Sequence, residues 1–438
     1  MSTELGGNRR SPDNGPDKGP DNGADSGPDN GAGCGVGDYF DPLGHHLHDP
    51  YPFYAVARAE EPVFYSPRLQ AWCVARYADV LSVLRDVETF SSVEIIPRPC
   101  GLPQDFDDLF DWFYGDAAPL TFTDPPRHER IRTVVNTGLT PKAISPFEPA
   151  IRRIVANLLD GLRGRDQLEV LEDFARPLVM SVILGLTGIP PERHESLIEW
   201  NQHFFTLLVG WHALDLDALR ECKRIVDAGL DYIRSLVRQR TTRPQQDLVS
   251  FLVHGEHRGH RLTHEETVGQ VMTLLAAGFE SVTNSTANAL DILLRRRDQW
   301  RRLGERDALT DRIISECMRY NGSIATIYRI ARRDTSIRGV RIPGGSPVCL
   351  LWSSANRDEA TYQRPDDFFP ERPEDTKNLT YGFGIHYCVG APLTKLTMRL
   401  ALSALRRRYP DLHLAAADEP RYRAISTFRA MEHLYVRT

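Results

Sequence analysis

The sequence feature that most constrains the fold is a stretch without proline that runs from Thr263 to about Arg297. Thr263 and Glu266 have the spacing of a capping box, in which an N-cap side chain and the third helical residue each bond the other's backbone N–H. At 1.5 Å per residue a helix over this stretch would be about 50 Å long, enough to cross a whole domain. The chain is therefore predicted to be mainly α-helical.

Strand signals lie mainly in two regions, residues 62–75 and 335–353. In the second region apolar stretches flank Pro343, Gly344 and Gly345, which favour a turn. This region is predicted to form a hairpin around that turn. The predicted fold class is mainly α with small β-sheets.

The first 36 residues differ in composition from the rest of the chain. A four-residue unit recurs there as PDNG, PDKG, PDNG, ADSG and PDNG between Pro12 and Gly31. Pro, Asp, Asn and Gly sustain neither helix nor strand, so residues 1–36 are predicted to be a disordered tail. No comparable break follows, and residues 37–438 are predicted to be one domain. Its length exceeds the usual size of a single core, which favours a domain built around something large, such as a cofactor.

Charge and cysteine usage exclude several classes of protein. The chain has 53 Lys and Arg against 59 Asp and Glu, a net charge of −6, which argues against a dedicated nucleic-acid or anionic-membrane binder. No apolar run is long enough to span a bilayer, and the first residues lack the apolar stretch of a signal peptide. The seven cysteines are scattered without a CxxC pair, a pattern typical of a reducing compartment. We expect a cytoplasmic protein.

The most informative segment for chemistry is YGFGIHYCVGAPL, residues 381–393, followed by an apolar, helix-like stretch. Cys388 lies among three glycines, which permit tight turns and a close approach of the backbone to a bulky group. A cysteine at the start of a helix gains stabilisation of its thiolate from the helix dipole and from free N–H groups. One thiolate without partner ligands suits an axial position on haem iron. A lone cysteine is, however, more often a buried small apolar residue.

The frame around Cys388 resembles the haem-binding signature of the cytochrome P-450 family in its soluble bacterial form, F-G-x-G-x-H-x-C-x-G. The positions in register are Phe383, Gly384, His386, Cys388 and Gly390. Tyr381 and Gly382 correspond to the initial Phe-Gly pair, so a tyrosine replaces a phenylalanine there. The resemblance implies the cytochrome P-450 fold, a single large haem domain over residues 37–438 and Cys388 as the axial ligand of the haem iron.

Further motifs follow in the family's order. Glu316 and Arg319 match its E-x-x-R pair, and Arg372 matches the arginine that completes a buried Glu–Arg–Arg cluster. An E-x-x-R match alone has little weight, since ion pairs at this spacing are common on helices.

Upstream, TDPPRHERIR places His128 and Arg132 four residues apart on one predicted helix face, with Asp124 expected as the N-cap. In the family such residues bind the haem propionates, as would Arg329 and His386 by the same resemblance. Taken singly, each of these side chains is more often a solvated surface residue or a strand-end arginine.

The long predicted helix resembles the family's oxygen-side helix, whose A-G-x-[DE]-T motif is matched from Ala277 to Ser281. Glu280 and Ser281 would relay protons through water during oxygen cleavage. Serine stands where the family usually has threonine, so the hydroxyl is kept but the methyl that restricts its rotamer is not. The small residues of the motif would make room beside the haem, although close helix–helix packing explains them equally well.

The resemblance also implies cofactors and partners. These are haem b, O2 as co-substrate, a small-molecule substrate, and an external ferredoxin with its reductase as electron donors. We expect a monomer with no nucleic-acid or membrane partner. The expected activity is hydroxylation or epoxidation of a small organic substrate, a secondary-metabolite intermediate. Two alternatives stay open: oxidative radical coupling of an aromatic or peptide-like substrate at the same haem, and a haem-binding sensor without turnover.

Candidates for the substrate pocket are less specific. By family position the pocket walls include Thr273, Ile324, Ala325 and Thr326. Residues 91–120 would cover the haem, and this stretch carries several aromatic residues interleaved with aspartates (Phe106, Phe110, Trp112, Phe113 and Tyr114; Asp105, Asp107, Asp108 and Asp111). The segment that would roof the pocket contains His203, Phe204, Phe205, Leu207 and Leu208. These aromatic and apolar side chains either contact the substrate or pack against the domain, and packing is favoured.

Overall fold

Helices dominate the structure, a computed structural model that describes residues 35–96, 103–106, 114–209, 214–373, 377–416 and 419–438. The described helices are α1 (Val36–Tyr39), α2 (Tyr51–Glu60), α3 (Tyr77–Arg85), α4 (Arg127–Gly138), α5 (Pro141–Ile144), α6 (Glu148–Gly161), α7 (Arg176–Leu186), α8 (His194–Val209), α9 (Leu216–Thr242), α10 (Leu248–His254), α11 (His264–Arg295), α12 (Arg297–Arg302), α13 (Asp307–Asn321), α14 (Trp352–Ala355) and α15 (Ala391–Arg408). None of these helices combines the length and the apolar character that crossing a membrane requires. The prediction of a disordered tail concerns residues that lie almost entirely outside the described ranges.

Three small sheets accompany the helices. Their strands are β1 (Val63–Ser66), β2 (Ala71–Val74), β3 (Phe90–Ser91), β4 (Gln167–Glu169), β5 (Thr326–Ala331), β6 (Thr335–Ile337), β7 (Val340–Ile342), β8 (Pro347–Leu351), β9 (His413–Leu414) and β10 (Tyr435–Arg437). The largest sheet has the order β1-β2-β8-β5-β3, the second β4-β10-β9, and the third is the pair β6-β7. The predicted fold class, mainly α with small β-sheets, is confirmed.

The long helix forms where the sequence predicts it. The hydroxyl of Thr263 accepts a hydrogen bond from the N–H of Glu266 at 3.2 Å, and the Glu266 carboxylate accepts one from the N–H of Thr263 at 2.9 Å. The helix then runs for 32 residues, about 48 Å, and buries most of its side chains against α7, α9, α13 and α15. Its backbone comes so close to residue 117 that a Cβ on Gly269 would lie 1.9 Å from the Ala117 carbonyl oxygen.

The hairpin predicted in residues 335–353 exists, but its turn was placed wrongly. Strands β6 and β7 pair around Arg338 and Gly339, both of which have positive φ, as a two-residue hairpin turn requires. Residues 343–345 instead connect this hairpin to β8. The last four residues of β8 are buried, and the strand pairs with β2 on one side and β5 on the other. Residues 343–346 still form a turn, in which the Ser346 N–H donates to the Pro343 carbonyl at 3.2 Å. Burial of the apolar strand β8 in the central sheet directs its pairing to β2 and β5 rather than to β7.

The core has one large helical part and two smaller parts around the largest sheet. Helices α7, α9, α11 and α15 supply about half of the large cluster, and the two other clusters pack against opposite faces of β2 and β8. Residues 35–438 form one compact unit. The loop before α15, the strand β5 and the middle of α11 carry the chemically informative residues.

Candidate active site

Glycines shape the loop that carries Cys388. Gly382 and Gly384 have φ values of +74° and +70°, which a side chain would strain, and the N–H of Cys388 donates to the Tyr381 carbonyl at 2.8 Å. Gly390 is the N-cap of α15, and its N–H and that of Ala391 point at the sulfur. The loop therefore holds the thiol just before the start of a helix, as predicted.

The sulfur of Cys388 is accessible although protein surrounds it. The side chain is exposed, yet burial raises the pKa of its thiol, so the sulfur faces open space within the protein. The Gly390 N–H, the Arg132 charge and the Ala391 N–H each lower that pKa, but burial outweighs them. The N–H groups at the helix start thus lower the pKa of the thiol, as predicted, but the pKa still lies above its ordinary value. A bound cation would deprotonate it.

Four basic side chains predicted to bind carboxylates are brought together from three elements. His128 and Arg132 lie on α4, Arg329 on β5 and His386 in the cysteine loop, and the two imidazole rings are 4.4 Å apart. Both ring nitrogens of His128 are buried and have no hydrogen-bond partner among the residues that the structure describes. Arg329 is 6% exposed. Its guanidinium makes one hydrogen bond among the described residues, from Nη1 to the Tyr328 carbonyl at 2.7 Å. This group therefore has donors to spare for an anionic ligand.

Electrostatics keep the two imidazoles neutral and the two guanidiniums charged. Burial and the nearby Arg329, His128 and Arg132 side chains lower the pKa of His386 to about 2. Burial and the Arg132 charge lower the pKa of His128 to about 4. Burial also lowers the pKa of Arg329 to about 10, which leaves it charged at neutral pH. The four residues together have a net positive charge, because two of them are charged guanidiniums and none of them is acidic.

Asp124 is not the N-cap of α4, and that prediction was wrong. The helix begins at Arg127 with Pro126 as N-cap, because two prolines without N–H groups separate Asp124 from the first free donors. The Asp124 carboxylate instead accepts bonds from the Ser91 hydroxyl at 2.5 Å and the Ser92 N–H at 3.0 Å, and it pairs with Arg332.

These residues fit a haem group. The accessible sulfur is a suitable iron ligand, and the four basic side chains offer unpaired donors to two carboxylates. Ala277 is exposed in the middle of an otherwise buried helix, which shows that α11 borders open space at that point. Its neighbour Gly278 lies against α7, where a Cβ would be 2.8 Å from Ile183 Cδ1. Close helix–helix packing thus explains Gly278, whereas Ala277 lies where the helix borders open space.

Glu280 and Ser281 are adjacent in sequence but are not bonded to each other. Oε2 of Glu280 accepts from Asn284 Nδ2 and from Arg423 Nη2, both at 2.7 Å. The Ser281 hydroxyl donates to the Ala277 carbonyl at 2.8 Å, which leaves its lone pairs able to accept. Sequence reasoning missed both partners of Glu280. Asn284 follows Glu280 by four residues on the same helix, and this spacing could have indicated the contact. Arg423 is distant in the sequence, so no pattern indicated its contact with Glu280.

Arg423 belongs to a loop, residues 419–431, that also borders the predicted pocket. The N–H of Arg423 donates to the Ala430 carbonyl, and the Thr427 carbonyl accepts from the Ala325 N–H, both at 2.8 Å. Phe428 forms an isolated bridge with Ile324, and its ring lies edge-on to Phe205 at 6.2 Å. This C-terminal loop therefore contacts both the acidic residue and the pocket wall.

The other apolar pocket candidates lie in the core or pack against it. The Thr326 hydroxyl donates to the Ser426 carbonyl at 3.2 Å, and the Thr273 hydroxyl donates to Gly269 at 2.7 Å. Phe106, Phe204 and Leu207 are buried in the large core cluster, whereas Tyr114, Phe205 and Leu208 are half-buried beside it. His203 bonds the Glu199 carbonyl of its own helix. The predicted residues outside the described ranges are Asp107, Asp108, Phe110, Asp111, Trp112 and Phe113, and nothing in the structure bears on the Asp105 side chain.

The predicted charge cluster is fully assembled in the interior. Glu316 bonds Arg319 through both oxygens at 2.8 and 2.9 Å, and Arg372 bonds the same carboxylate at 3.1 to 3.2 Å. The side chains are 1 to 2% exposed. Backbone carbonyls of residues 356, 363, 365 and 367 accept five further hydrogen bonds from the two guanidiniums. The cluster joins α13 to the segment that leads to the cysteine loop.

Comparisons with known proteins find similar sequences and structures over most of the chain. A family model for cytochrome P450 matches residues 111–420. The biotin biosynthesis cytochrome P450 of Bacillus subtilis is 32% identical over 392 residues, 89% of this chain and 96% of that protein. The cyclomarin C epoxidase of Salinispora arenicola is 32% identical over 380 residues, 83% and 90% of the two chains. A solved structure of P450BioI, in complex with an acyl carrier protein ligated to hexadec-9Z-enoic acid, has a TM-score of 0.80 at 31% identity, over 91% of this chain and all of that one.

Proposed function

Because the chain belongs to the cytochrome P450 family, we propose that it is a haem-thiolate monooxygenase that hydroxylates or epoxidises a secondary-metabolite intermediate. The observation that carries this proposal is the juxtaposition of an accessible cysteine sulfur with a basic cluster in which several polar groups have no partner among the described residues. A thiolate-ligated haem, when bound, activates O2 for insertion of one oxygen atom into an organic substrate.

Each predicted residue then has a definite task. Cys388 Sγ would hold the iron of haem b, and its backbone donors would stabilise the thiolate. Arg132, Arg329, His128 and His386 would bind the two carboxylates of the cofactor. His128 and Arg329 are buried, and the limited access of water at these two side chains would strengthen those ion pairs.

Proton supply would depend on Ser281 and Glu280. The Ser281 hydroxyl donates to the Ala277 carbonyl, and its oxygen can accept a hydrogen bond from a water. To pass a proton onward, the hydroxyl would turn its hydrogen away from that carbonyl while its oxygen takes a proton from the water. Glu280 is held through Oε2 only, since Oε1 accepts no hydrogen bond from any residue in the described ranges. That free oxygen would bind the water that precedes Ser281 in the relay.

The substrate class is supported by the relatives. One of them is named for biotin biosynthesis and another for epoxidation of cyclomarin C, so oxidation of a biosynthetic intermediate is the activity that best suits this chain. The electrons would come from an external ferredoxin and its reductase. A substrate screen should include both free and carrier-linked acyl compounds, because the solved neighbour is a complex with an acyl carrier protein.

The absorption spectrum of the purified protein, reduced with dithionite and exposed to carbon monoxide, tests this proposal. A red-shifted Soret band typical of thiolate ligation is expected. Compounds that bind should then shift the spin state, and turnover with ferredoxin and reductase should add one oxygen to the product mass. A product that has lost two hydrogens would replace the monooxygenase proposal with oxidative coupling, and a haem-bound protein that consumes no reductant with any ligand would be a sensor.

Replacing Ser281 by alanine should lower the yield of product per electron. Acid–base relays typically contribute ~100-fold or more, but water can partly replace a missing hydroxyl in an open pocket, so we expect a loss of about tenfold to a hundredfold. Product and peroxide formed per reduced nicotinamide consumed would measure it. Ser281→Thr is the matched control, because it keeps the hydroxyl and restricts its rotamer. Unchanged coupling in Ser281→Ala would remove Ser281 from the relay.

A further inference from the structure

A second hydrogen-bond network lies beside the basic cluster and has no task in the proposed function. It is centred on Asp124, which is 8% exposed. Oδ2 of Asp124 accepts from the Ser91 hydroxyl and pairs with Arg332, while Oδ1 accepts from the Ser92 N–H. Both carboxylate oxygens are therefore engaged, and the residue joins the end of β3, the segment before α4 and the segment after β5.

This network reaches a residue of the basic cluster through Ser92. The N–H of Val93 donates to the Ser91 hydroxyl at 2.9 Å, so residues 91–93 fold tightly around the Asp124 carboxylate. The hydroxyl of Ser92 is thereby fixed 3.0 Å from Nε2 of His386. The other ring nitrogen, Nδ1, has no hydrogen-bond partner among the described residues and remains available to a ligand.

We propose that Asp124 is a positioning residue for the anionic side of the bound cofactor: it fixes Ser92, whose hydroxyl orients the His386 imidazole so that Nδ1 faces a carboxylate. The inference rests on the proposed function, because it requires a cofactor with carboxylates at this cluster. An imidazole that is already held at Nε2 loses little rotational freedom when Nδ1 binds a ligand. The ligand is therefore retained longer than by an imidazole that can rotate freely.

A purely structural role is the competing explanation. Asp124 also ties three segments together, and its loss would lower stability whether or not it acts on His386. Asp247 is a matched control, since it is equally buried, pairs with Arg240 at 2.6 Å and accepts from the Ser250 N–H at 2.7 Å, but lies at the start of α10. Asp247→Asn should lower stability without changing cofactor retention.

The test measures haem transfer from the holoprotein to an excess of apomyoglobin. Asp124→Asn and Ser92→Ala should each lose haem about tenfold faster than the unmodified protein, the effect of one hydrogen bond. The double variant should lose it no faster than the faster single variant, because the two residues act in series. Amide hydrogen exchange at residues 92–93 should accelerate in Asp124→Asn and stay unchanged in Asp247→Asn.

Three results would overturn the inference. The first is an unchanged rate of haem loss in both single variants. The second is a rate of haem loss in the double variant that equals the product of the two single effects. The third is that Asp247→Asn accelerates haem loss as much as Asp124→Asn does. If Asp124→Asn fails to fold, Ser92→Ala decides alone, since it removes only a hydroxyl. If the unmodified protein binds no haem, the proposed function itself fails; if it binds haem tightly and Ser92→Ala changes nothing, only this inference fails.

Discussion

Replacing Cys388 by serine should abolish both the thiolate spectrum and the activity. A serine hydroxyl keeps the size of the side chain, but it is far less acidic than a thiol and is a poor ligand for haem iron. We expect no red-shifted Soret band in the reduced carbon monoxide complex and no product above background. The measurement is that spectrum together with haem content per protein chain.

A second cysteine variant separates loss of the ligand from loss of the fold. Cys222 is also a free cysteine, buried on α9 in the large core cluster. Cys222→Ala should keep the spectrum and the haem content of the unmodified protein. Retained turnover in Cys388→Ser would overturn the central assignment, since no other ligand is proposed for the iron.

Replacing Glu316 by glutamine should cause the largest loss of stability. The change removes one charge from a buried cluster and leaves the guanidiniums of Arg319 and Arg372 without a counter-charge. Breaking a buried ion pair in this way costs about 3 to 5 kcal/mol of the free energy of unfolding. Denaturant unfolding followed by circular dichroism would measure it.

Glu221 offers a matched control for that experiment. It precedes Arg224 by three residues and bonds it at 2.6 Å, as Glu316 precedes and bonds Arg319, but both side chains are more than half exposed. Glu221→Gln should leave the unfolding midpoint unchanged, because water screens the exposed pair. Equal midpoints for the two variants would show that the buried cluster does not stabilise the fold.

The sequence was informative wherever chemistry needs particular residues at fixed spacing. The capping box at Thr263 and Glu266 predicted the start of α11, and the spacing of the glycines predicted the loop around Cys388. These features are local, so the residues that define them are close together in the chain. The basic cluster could be predicted only through the family resemblance, since its members come from three distant segments.

Features that depend on tertiary contacts could not be predicted in this way. The partners of Glu280 and the role of Asp124 result from loops that meet only in the folded chain. The hydroxyl of Tyr381 is a smaller example. The family signature has a phenylalanine at this position, and the tyrosine oxygen is buried with no hydrogen-bond partner in the described part of the chain. Residues 343–345 form a turn, but it does not join the strands of the predicted hairpin, because burial of β8 directs the pairing of that strand to β2 and β5.

The C-terminal loop has a consequence for attempts to redesign the protein. Phe428 and its neighbours border the pocket, and the same short loop carries Arg423, which anchors Glu280. Libraries that vary residues 425–428 to accept new substrates will therefore also disturb the anchor of an acidic residue in the proposed relay. Selection on substrate conversion alone would favour variants that waste reductant, so electron efficiency has to be screened together with substrate range.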